Sequence, residues 1–213
     1  MITIHHLGVS QSERIVWLCE ELGVPYELVR YERDEQTRLA PAEYRALHPM
    51  GIAPVIEDGN FVLAESGAII DYIIARYGQG RLRPAPQDPD FSHYLFWYHF
   101  ANGTMMPSMM TDLVIRLAAE AASDPISKAL QARVDRCFRL VEQRLGEAAF
   151  FAGERLTAAD IMMLFPLTTM RAFAPRDLSA WPNTRSYLAR IAAETAYCRA
   201  MAKADPGMTP LLS

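Results

Sequence analysis

Cysteine is scarce in this sequence of 213 residues, which contains only Cys19, Cys137 and Cys198. Three widely separated cysteines form neither a disulfide framework nor a CxxC zinc site. They favour a reducing compartment, so we predict a cytoplasmic protein. A basic excess is also missing, because 21 Lys and Arg residues stand against 25 Asp and Glu. Proteins that bind nucleic acid or anionic membranes normally carry such an excess, so we predict neither partner.

Long apolar runs are absent as well. None reaches the ~18 residues that a membrane-spanning helix requires, and residues 1–5, MITIH, lack the basic start of a secretory signal. Hydrophobic residues nevertheless make up 51% of the chain and charged residues 22%, which excludes disorder as its default state. The length allows one large domain or two small ones.

The beginning of the chain carries the pattern of a βαβ unit. Residues 2–7 and 26–31 have the character of strands, and apolar residues recur at helical spacing between 13 and 22. A strand, a helix and a strand within about 30 residues predict two parallel strands joined by a helix.

A hairpin and a helix follow. Asp58-Gly59 lies between two apolar runs and predicts a tight turn between strands. Ser66 can cap a helix over 67–77. The order βαβ, hairpin, helix describes a thioredoxin-like α/β domain over residues 1–79.

The rest of the chain is predicted to be helical. A stretch rich in glycine and proline at 80–89 indicates a linker, and helical periodicity dominates the predicted all-α bundle over 90–213. The predicted helices span 91–119, with a kink at Pro107, and 126–145, 158–173 and 183–193.

Three short segments could carry chemistry. Ser10 and Ser12 precede the first helix, where amides favour an anion and a hydroxyl can donate to it. In the alternative interpretation Ser12 only caps the helix. Ala53-Pro54 precedes a strand, and a cis bond there would turn the Ala53 main chain toward an extended peptide.

Glu65-Ser66 begins the next helix and could hold a carboxylate and an amine, although a plain helix cap is the alternative. Thr157 and Asp160 have the spacing of a capping box, which we assign to folding. We predict no metal site, because His5 and His6 lie next to each other on a strand and point to opposite faces.

Several motifs resemble cytosolic glutathione transferases of bacterial and fungal type. They are HPMGIAPVIEDG at 48–59, LAESGAI at 63–69, WLCEEL at 17–22 and GERLTAADI at 153–161. They follow the order of that family and cover nearly the whole chain. The resemblance implies a glutathione-dependent enzyme, with glutathione as co-substrate, and a homodimer.

The resemblance also implies roles for individual residues. The Ala53 main chain, next to a cis bond to Pro54, would pair with the cysteinyl part of glutathione, and Glu65 and Ser66 would hold the γ-glutamyl end. Ser10 matches the hydroxyl near the thiol, with Ser12 as the runner-up.

Ile52 also belongs to the predicted glutathione site, but many members carry Lys or Gln where it stands. This departure favours an alternative, a non-catalytic regulatory or scaffold protein with the same fold. A glutathione-dependent isomerase or lyase is a third interpretation.

Aromatic and methionine residues cluster around Pro107, and methionine suits a promiscuous apolar site. We predict that part of this cluster binds the small hydrophobic electrophile. The alternative is that these side chains form helix–helix or dimer core. The predicted pocket residues are Trp97, Phe100, Met105, Met106 and Met109.

Overall fold

The computed structural model describes residues 1–118 and 124–213, which divide into two compact units. The first unit comprises Met1–Arg83 and Ala192–Pro210, and the second comprises Pro84–Ile191 and Leu211–Ser213. The first unit therefore contains a late segment of the chain that we predicted to belong to the helical domain.

A four-stranded mixed sheet forms the centre of the first unit, with strand order β2-β1-β3-β4. The βαβ unit and the hairpin are confirmed, because β1 and β2 run parallel while β3 is antiparallel to both β1 and β4. The strands are β1 (Ile2–Leu7), β2 (Tyr26–Tyr31), β3 (Val55–Asp58) and β4 (Phe61–Ala64).

Three helices accompany these strands: α1 (Glu13–Leu22), α2 (Ala42–Arg45) and α3 (Ser66–Arg76). Gly23 is the residue that caps the C terminus of α1, and its φ of 64° is the left-handed conformation that glycine adopts without steric cost. Helix α3 begins at Ser66 and its N-cap residue is Glu65. The prediction that Ser66 caps this helix is therefore wrong by one position.

The second unit is built from helices. They are α4 (Phe91–Phe100), α5 (Met106–Leu117), α6 (Pro125–Glu147), α7 (Ala158–Leu167) and α8 (Pro182–Ala192). The predicted helix 91–119 is divided by a π-helical turn at Ala101–Met105, and Pro107 lies in the first turn of α5. Proline clashes with the carbonyl four residues before it, so the wider turn comes ahead of Pro107. Ala119 lies outside the described residues.

The capping box at the start of α7 is confirmed. The Thr157 amide donates to Asp160 Oδ2 over 2.8 Å, and the Ala159 amide donates to Thr157 Oγ1 over 3.3 Å. Asp160 Oδ1 also accepts the amide of Phe151. The predicted helix 158–173 ends early, because Leu167 is followed by a short 3₁₀ turn at Thr169–Ala172.

Helix α9 (Thr195–Ala204) packs against α1 in the first unit. The rings of Trp17 and Tyr197 meet edge to face, with centroids 5.2 Å apart, and Arg199 Nε lies 3.0 Å from Glu20 Oε2. This packing explains why the compact units differ from the predicted division at 1–79, 80–89 and 90–213.

The predicted fold class, a thioredoxin-like α/β domain with an all-helical domain, is confirmed by these elements. Within the described part of the chain, none of the helices combines the length and the apolar character needed to cross a membrane.

Candidate active site

The loop between β1 and α1 holds a pair of hydrogen-bonded serines, Ser10 and Ser12, which we call the serine pair. Their Oγ atoms lie 2.7 Å apart, and the Ser12 amide donates to Ser10 Oγ over 3.3 Å. Ser10 is 5% exposed and Ser12 is fully buried. The structure thus brings together the two hydroxyls that the sequence singles out.

Ser12 occupies the N-cap position of α1, but among the described residues its side chain bonds to no amide of that helix. Its Oγ lies instead 2.9 Å from His6 Nδ1 and 3.3 Å from the Leu7 carbonyl oxygen, and it accepts the Leu7 amide over 3.2 Å. The alternative that Ser12 merely caps the helix is therefore wrong. Its hydroxyl is directed toward β1.

Val9, next to the serine pair, has an unusual backbone. Its φ of 53° lies in the left-handed region, which is a true outlier for a β-branched residue and costs about 1–3 kcal/mol. The Val9 amide donates to Asp205 Oδ1 over 3.0 Å, and Arg33 Nη2 donates to the Val9 carbonyl over 3.1 Å. Contacts from two distant parts of the chain thus fix the shape of the loop between β1 and α1, which we call the serine loop.

The Ala53–Pro54 peptide bond is cis, as the resemblance implies. Strand β3 begins at Val55, so Ala53 lies two residues before the strand and outside its pairing register with β1 and β4. Ala53 is half-buried, and the neighbouring Ile52 is 50% exposed. This segment therefore presents the apolar side chain of Ile52 at the surface of the first unit.

Glu65 and Ser66 lie where β4 passes into α3. Glu65 is exposed and has a φ of 74°, which is rare for a residue with a side chain. Ser66 is buried, and its Oγ accepts a hydrogen bond of 3.3 Å from Arg14 Nη1. Together with the positive end of the α3 dipole, this arrangement favours a carboxylate at the start of the helix.

Arg14 is a site residue that the sequence analysis did not identify. Its side chain is 1% exposed, and Nη1 also donates to Gln11 Oε1. The buried guanidinium thus connects the serine loop with Ser66 and adds positive charge behind the α3 N terminus. One pattern could have revealed it, because Arg14 is in phase with Leu18 and Leu22 on the apolar face of α1.

Comparison with known proteins covers both units. Residues 5–81 match the glutathione S-transferase N-terminal domain, and residues 104–194 match the corresponding C-terminal domain. Glutathione S-transferase 3 of Schizosaccharomyces pombe is 33% identical over 95% of this chain and 87% of its own length. This chain belongs to the glutathione S-transferase family. Glutathione S-transferase 1 of Saccharomyces cerevisiae is 29% identical over 96% of this chain and 95% of its own.

Solved structures of glutathione transferases have the same fold. The enzyme from Actinobacillus pleuropneumoniae is 37% identical and superposes with a TM-score of 0.88 over 96% of this chain and 93% of its own. A family member from Pseudomonas fluorescens Pf-5, solved with two glutathione bound, is 22% identical, with a TM-score of 0.74 over 94% and 92% of the two chains. At that identity the second likeness concerns the fold alone.

In the protein described here, the residues predicted to bind the electrophile lie inside the helical second unit. Trp97, Phe100, Met105, Met106 and Met109 are each at most 8% exposed. The Trp97 ring packs against Phe151 and Phe100, with centroids 4.9 and 5.1 Å away. The aromatic members thus contribute to the core of this unit, and the predicted pocket remains a prediction.

The cysteine on α1 does not take part in this site. Cys19 is fully buried, and burial, with a smaller contribution from the charge of Glu20, raises the pKa of its thiol to about 12. A thiol of that pKa stays protonated at neutral pH, so Cys19 is an inert core residue as predicted. Across residues 1–118 and 124–213, no group of three or more His, Cys, Asp and Glu is arranged to hold a metal ion.

Proposed function

We propose that this protein binds glutathione in its N-terminal unit, ionises the thiol beside Ser10 and conjugates glutathione through its sulfur to small hydrophobic electrophiles. The observation that carries the proposal is the buried serine pair in the loop before α1, in a chain that is 33% identical to a glutathione S-transferase over most of its length. The proposal also includes a homodimer in the cytoplasm.

The hydrogen-bonding capacity of the two hydroxyls favours Ser10 as the group that contacts sulfur. A hydroxyl has one hydrogen and two lone pairs. Ser12 Oγ already lies within hydrogen-bond distance of the Leu7 amide, the Leu7 carbonyl, His6 Nδ1 and Ser10 Oγ. Among the described residues, the Ser10 hydroxyl bonds only to the hydroxyl and the amide of Ser12. Its hydrogen can therefore turn toward a ligand.

The other end of the tripeptide is proposed to bind at the start of α3. The Ser66 hydroxyl and Glu65 would hold the γ-glutamyl carboxylate and amine, and the buried Arg14 guanidinium behind Ser66 adds favourable charge. The Ala53 main chain, beside the cis bond to Pro54, would pair with the cysteinyl part. Ile52 would provide an apolar contact instead of a polar one.

Ionising the thiol is only part of the chemistry. A thiol of pKa ~8.5 is about 3% ionised at pH 7, and lowering its pKa by two units takes about 2.7 kcal/mol and gives roughly 75% thiolate. Nucleophilicity falls with pKa at a Brønsted slope of about 0.4–0.5, so the net gain is only a few-fold. Most of the rate enhancement must come from holding the electrophile beside the sulfur. We propose that the cluster around Trp97 and Met109 supplies this apolar site.

The test combines binding with conjugation. Calorimetry under reducing conditions should detect glutathione binding, and an aryl halide should be conjugated. Ser10→Ala is expected to raise the pKa of the bound thiol by about two units and to slow conjugation by about five- to eightfold at pH 6.5, while binding persists. Ser186→Ala, which removes an exposed hydroxyl on α8, is the matched control.

Two results would overturn parts of this proposal. No heat of binding at millimolar glutathione would exclude the function, although the fold would stand. A larger rise of the thiol pKa in Ser12→Ala than in Ser10→Ala would transfer the catalytic role to Ser12. Glutathione binding without conjugation of any electrophile would favour the scaffold alternative.

A further inference from the structure

A continuous line of polar side chains runs from the serine pair to the end of α9. Ser10 Oγ lies 2.7 Å from Ser12 Oγ, Ser12 Oγ lies 2.9 Å from His6 Nδ1, and His6 Nε2 lies 3.3 Å from Asp205 Oδ2. We call these four residues the relay. The relay lies entirely within the first unit and joins residues at opposite ends of the sequence.

The contact between His6 and Asp205 is buried in the first unit. His6 is fully buried and Asp205 is 6% exposed. Among the described residues, neither His6 Nε2 nor Asp205 Oδ2 makes a hydrogen bond of ordinary geometry, and the two atoms form an ion-pair contact of 3.3 Å. Because a buried polar atom without a partner is costly, a proton on Nε2, toward the carboxylate, is the tautomer that satisfies both atoms.

The surroundings keep Asp205 ionised. Burial raises the pKa of its carboxyl, but the contact with His6, the hydrogen bond from the Val9 amide and the Arg30 charge outweigh that effect, and the net pKa is below the ordinary value. Arg33, which follows β2, and Tyr197 on α9, which also interacts with Glu13 of α1, interact electrostatically with Asp205 as well. Glu32, also after β2, pairs with Arg30 over 2.9 Å, and its carboxylate and that of Asp205 both lie beside Gly8. Two arginines and one carboxylate therefore face Asp205 from the β2 side.

We infer that Asp205 and His6 act as positioning residues behind the serine pair, and that His6 receives through Ser12 and Ser10 the proton that glutathione loses. The inference rests on the proposed binding of glutathione at Ser10. Asp205 holds the imidazole with Nδ1 directed at Ser12, a role like that of the carboxylate in a serine–histidine–aspartate triad but with the two ring nitrogens exchanged.

The hydrogen bonds of the resting relay run toward His6. Nε2–H of His6 donates to Asp205, so Nδ1 is an acceptor for the Ser12 hydroxyl, and Ser12 Oγ in turn accepts from the Ser10 hydroxyl. With this polarity the Ser10 hydrogen is directed at Ser12, and a lone pair of Ser10 is available to the thiol hydrogen.

Proton transfer reverses this direction. The thiol S–H bond breaks and its proton joins Ser10 Oγ, the Ser10 hydrogen moves to Ser12, and the Ser12 hydrogen moves to His6 Nδ1. Each hydroxyl still has one hydrogen, and the only new charges are the thiolate and the imidazolium. Ser10 now donates to sulfur, Ser12 donates to Ser10, His6 donates to Ser12, and the imidazolium is paired with the Asp205 carboxylate.

Asp205→Asn tests this relay without removing its shape. The amide oxygen can still accept from the Val9 amide, but the amide NH₂ must donate to His6 Nε2. The neutral imidazole then carries its proton on Nδ1 and cannot accept one from Ser12. We expect the pKa of bound glutathione, titrated by the ultraviolet absorbance of the thiolate, to rise by about one unit, a tenfold change in proton affinity.

The controls separate this effect from structural damage. Binding of S-methylglutathione, which has no thiol proton, should change by less than about twofold in Asp205→Asn, since no proton moves when it binds. Asp58→Asn makes the same substitution in the same unit, at a carboxylate that accepts hydrogen bonds from Tyr72 and Tyr77. It should leave the thiol pKa unchanged. A purely structural role of Asp205 would also leave it unchanged.

Nitrogen NMR of the imidazole rings gives a second readout. The chain has five histidines, and His6→Asn identifies the signal of His6. We expect one protonated ring nitrogen in the free protein and in the S-methylglutathione complex, and two in the glutathione complex.

The possible outcomes are distinct. If wild-type protein binds neither glutathione nor S-methylglutathione, the proposed function fails and the relay with it. If both bind but His6 stays neutral with glutathione, or Asp205→Asn leaves the thiol pKa unchanged, the relay alone is overturned. Should Asp205→Asn fail to fold, Ser12→Ala breaks the next link, and a thiol pKa equal to that of wild type would equally overturn the inference.

Discussion

Asp160 and Asp205 are buried carboxylates, one in each compact unit, whose pKa values move in opposite directions. Asp160 is fully buried and accepts from the amides of Phe151 and Thr157. Burial raises its pKa to about 6, although these hydrogen bonds lower it in part. Asp205 is 6% exposed and accepts from the amide of Val9, yet its pKa lies below the ordinary value.

Two differences separate them: Asp160 is the more deeply buried of the two, and the neighbouring groups differ in charge. Amides and hydroxyls are neutral dipoles and do not fully replace the water lost around Asp160. Asp205 contacts the His6 imidazole and faces the positive charge of Arg30, and both favour the ionised carboxylate. Low exposure alone therefore does not determine the state of a carboxylate. The neutral setting of Asp160 suits a structural role, and the charged setting of Asp205 suits proton chemistry.

Asp160→Ala is expected to have the largest effect on stability. It leaves two buried amides and the Thr157 hydroxyl without their acceptor, so the free energy of unfolding at pH 7 should fall by about 3–5 kcal/mol. Urea denaturation measures this loss. Asp177→Ala, at an exposed carboxylate in the same unit, is the control. A loss below about 1 kcal/mol for Asp160→Ala would show that water can replace the carboxylate.

The pH dependence of stability should expose the Asp160 pKa directly. Because its folded-state pKa of about 6 exceeds the ordinary 3.8, the folded state binds the proton more tightly, and stability rises as pH falls from about 7 to 4. The limiting gain is about 3 kcal/mol. It is obtained by subtracting the unfolding free energies of Asp160→Asn, which does not titrate, from those of wild type. A flat difference would mean that Asp160 has an ordinary pKa.

The two carboxylates also differ in how much of their surroundings the sequence alone predicts. Thr157 and Asp160 are three residues apart, and that spacing alone predicts their capping box. The βαβ unit and the 58–59 hairpin were equally predictable, because their hydrophobic periodicity and turn residues are local. These elements were enough to predict the fold class.

The relay could not be read in this way. His6 and Asp205 are 199 positions apart, and only the packing of α9 against α1 brings Asp205 back to the serine loop. The sequence analysis considered His6 only as a metal ligand, and no local pattern gives it a partner. Ser10 and Ser12 were found because they lie at a helix start, but local spacing did not distinguish their roles.

Asp205→Ala is expected to be less destabilising than Asp160→Ala. It deprives the Val9 amide and His6 Nε2 of their acceptor, and the unfolding free energy at pH 7 should fall by about 1–3 kcal/mol. Since the folded-state pKa of Asp205 is depressed, its contribution is present above the ordinary pKa and disappears as pH falls below it. The difference from wild type should therefore shrink below about pH 4, opposite to Asp160. A difference that grows at acid pH would contradict the charged setting of Asp205.

The smallest expected effect on stability comes from removing a single buried hydroxyl, and it distinguishes Thr157 from Ser12. Thr157→Ala removes the hydroxyl that accepts the Ala159 amide and donates to Asp160, so the unfolding free energy should fall by about 1 kcal/mol, with thiol ionisation unchanged. Ser12→Ala also removes a buried hydroxyl, but it interrupts the relay and should raise the pKa of bound glutathione. If Thr157→Ala shifted that pKa as well, the shift would report general loosening of the protein, and the shift in Ser12→Ala would not support the relay.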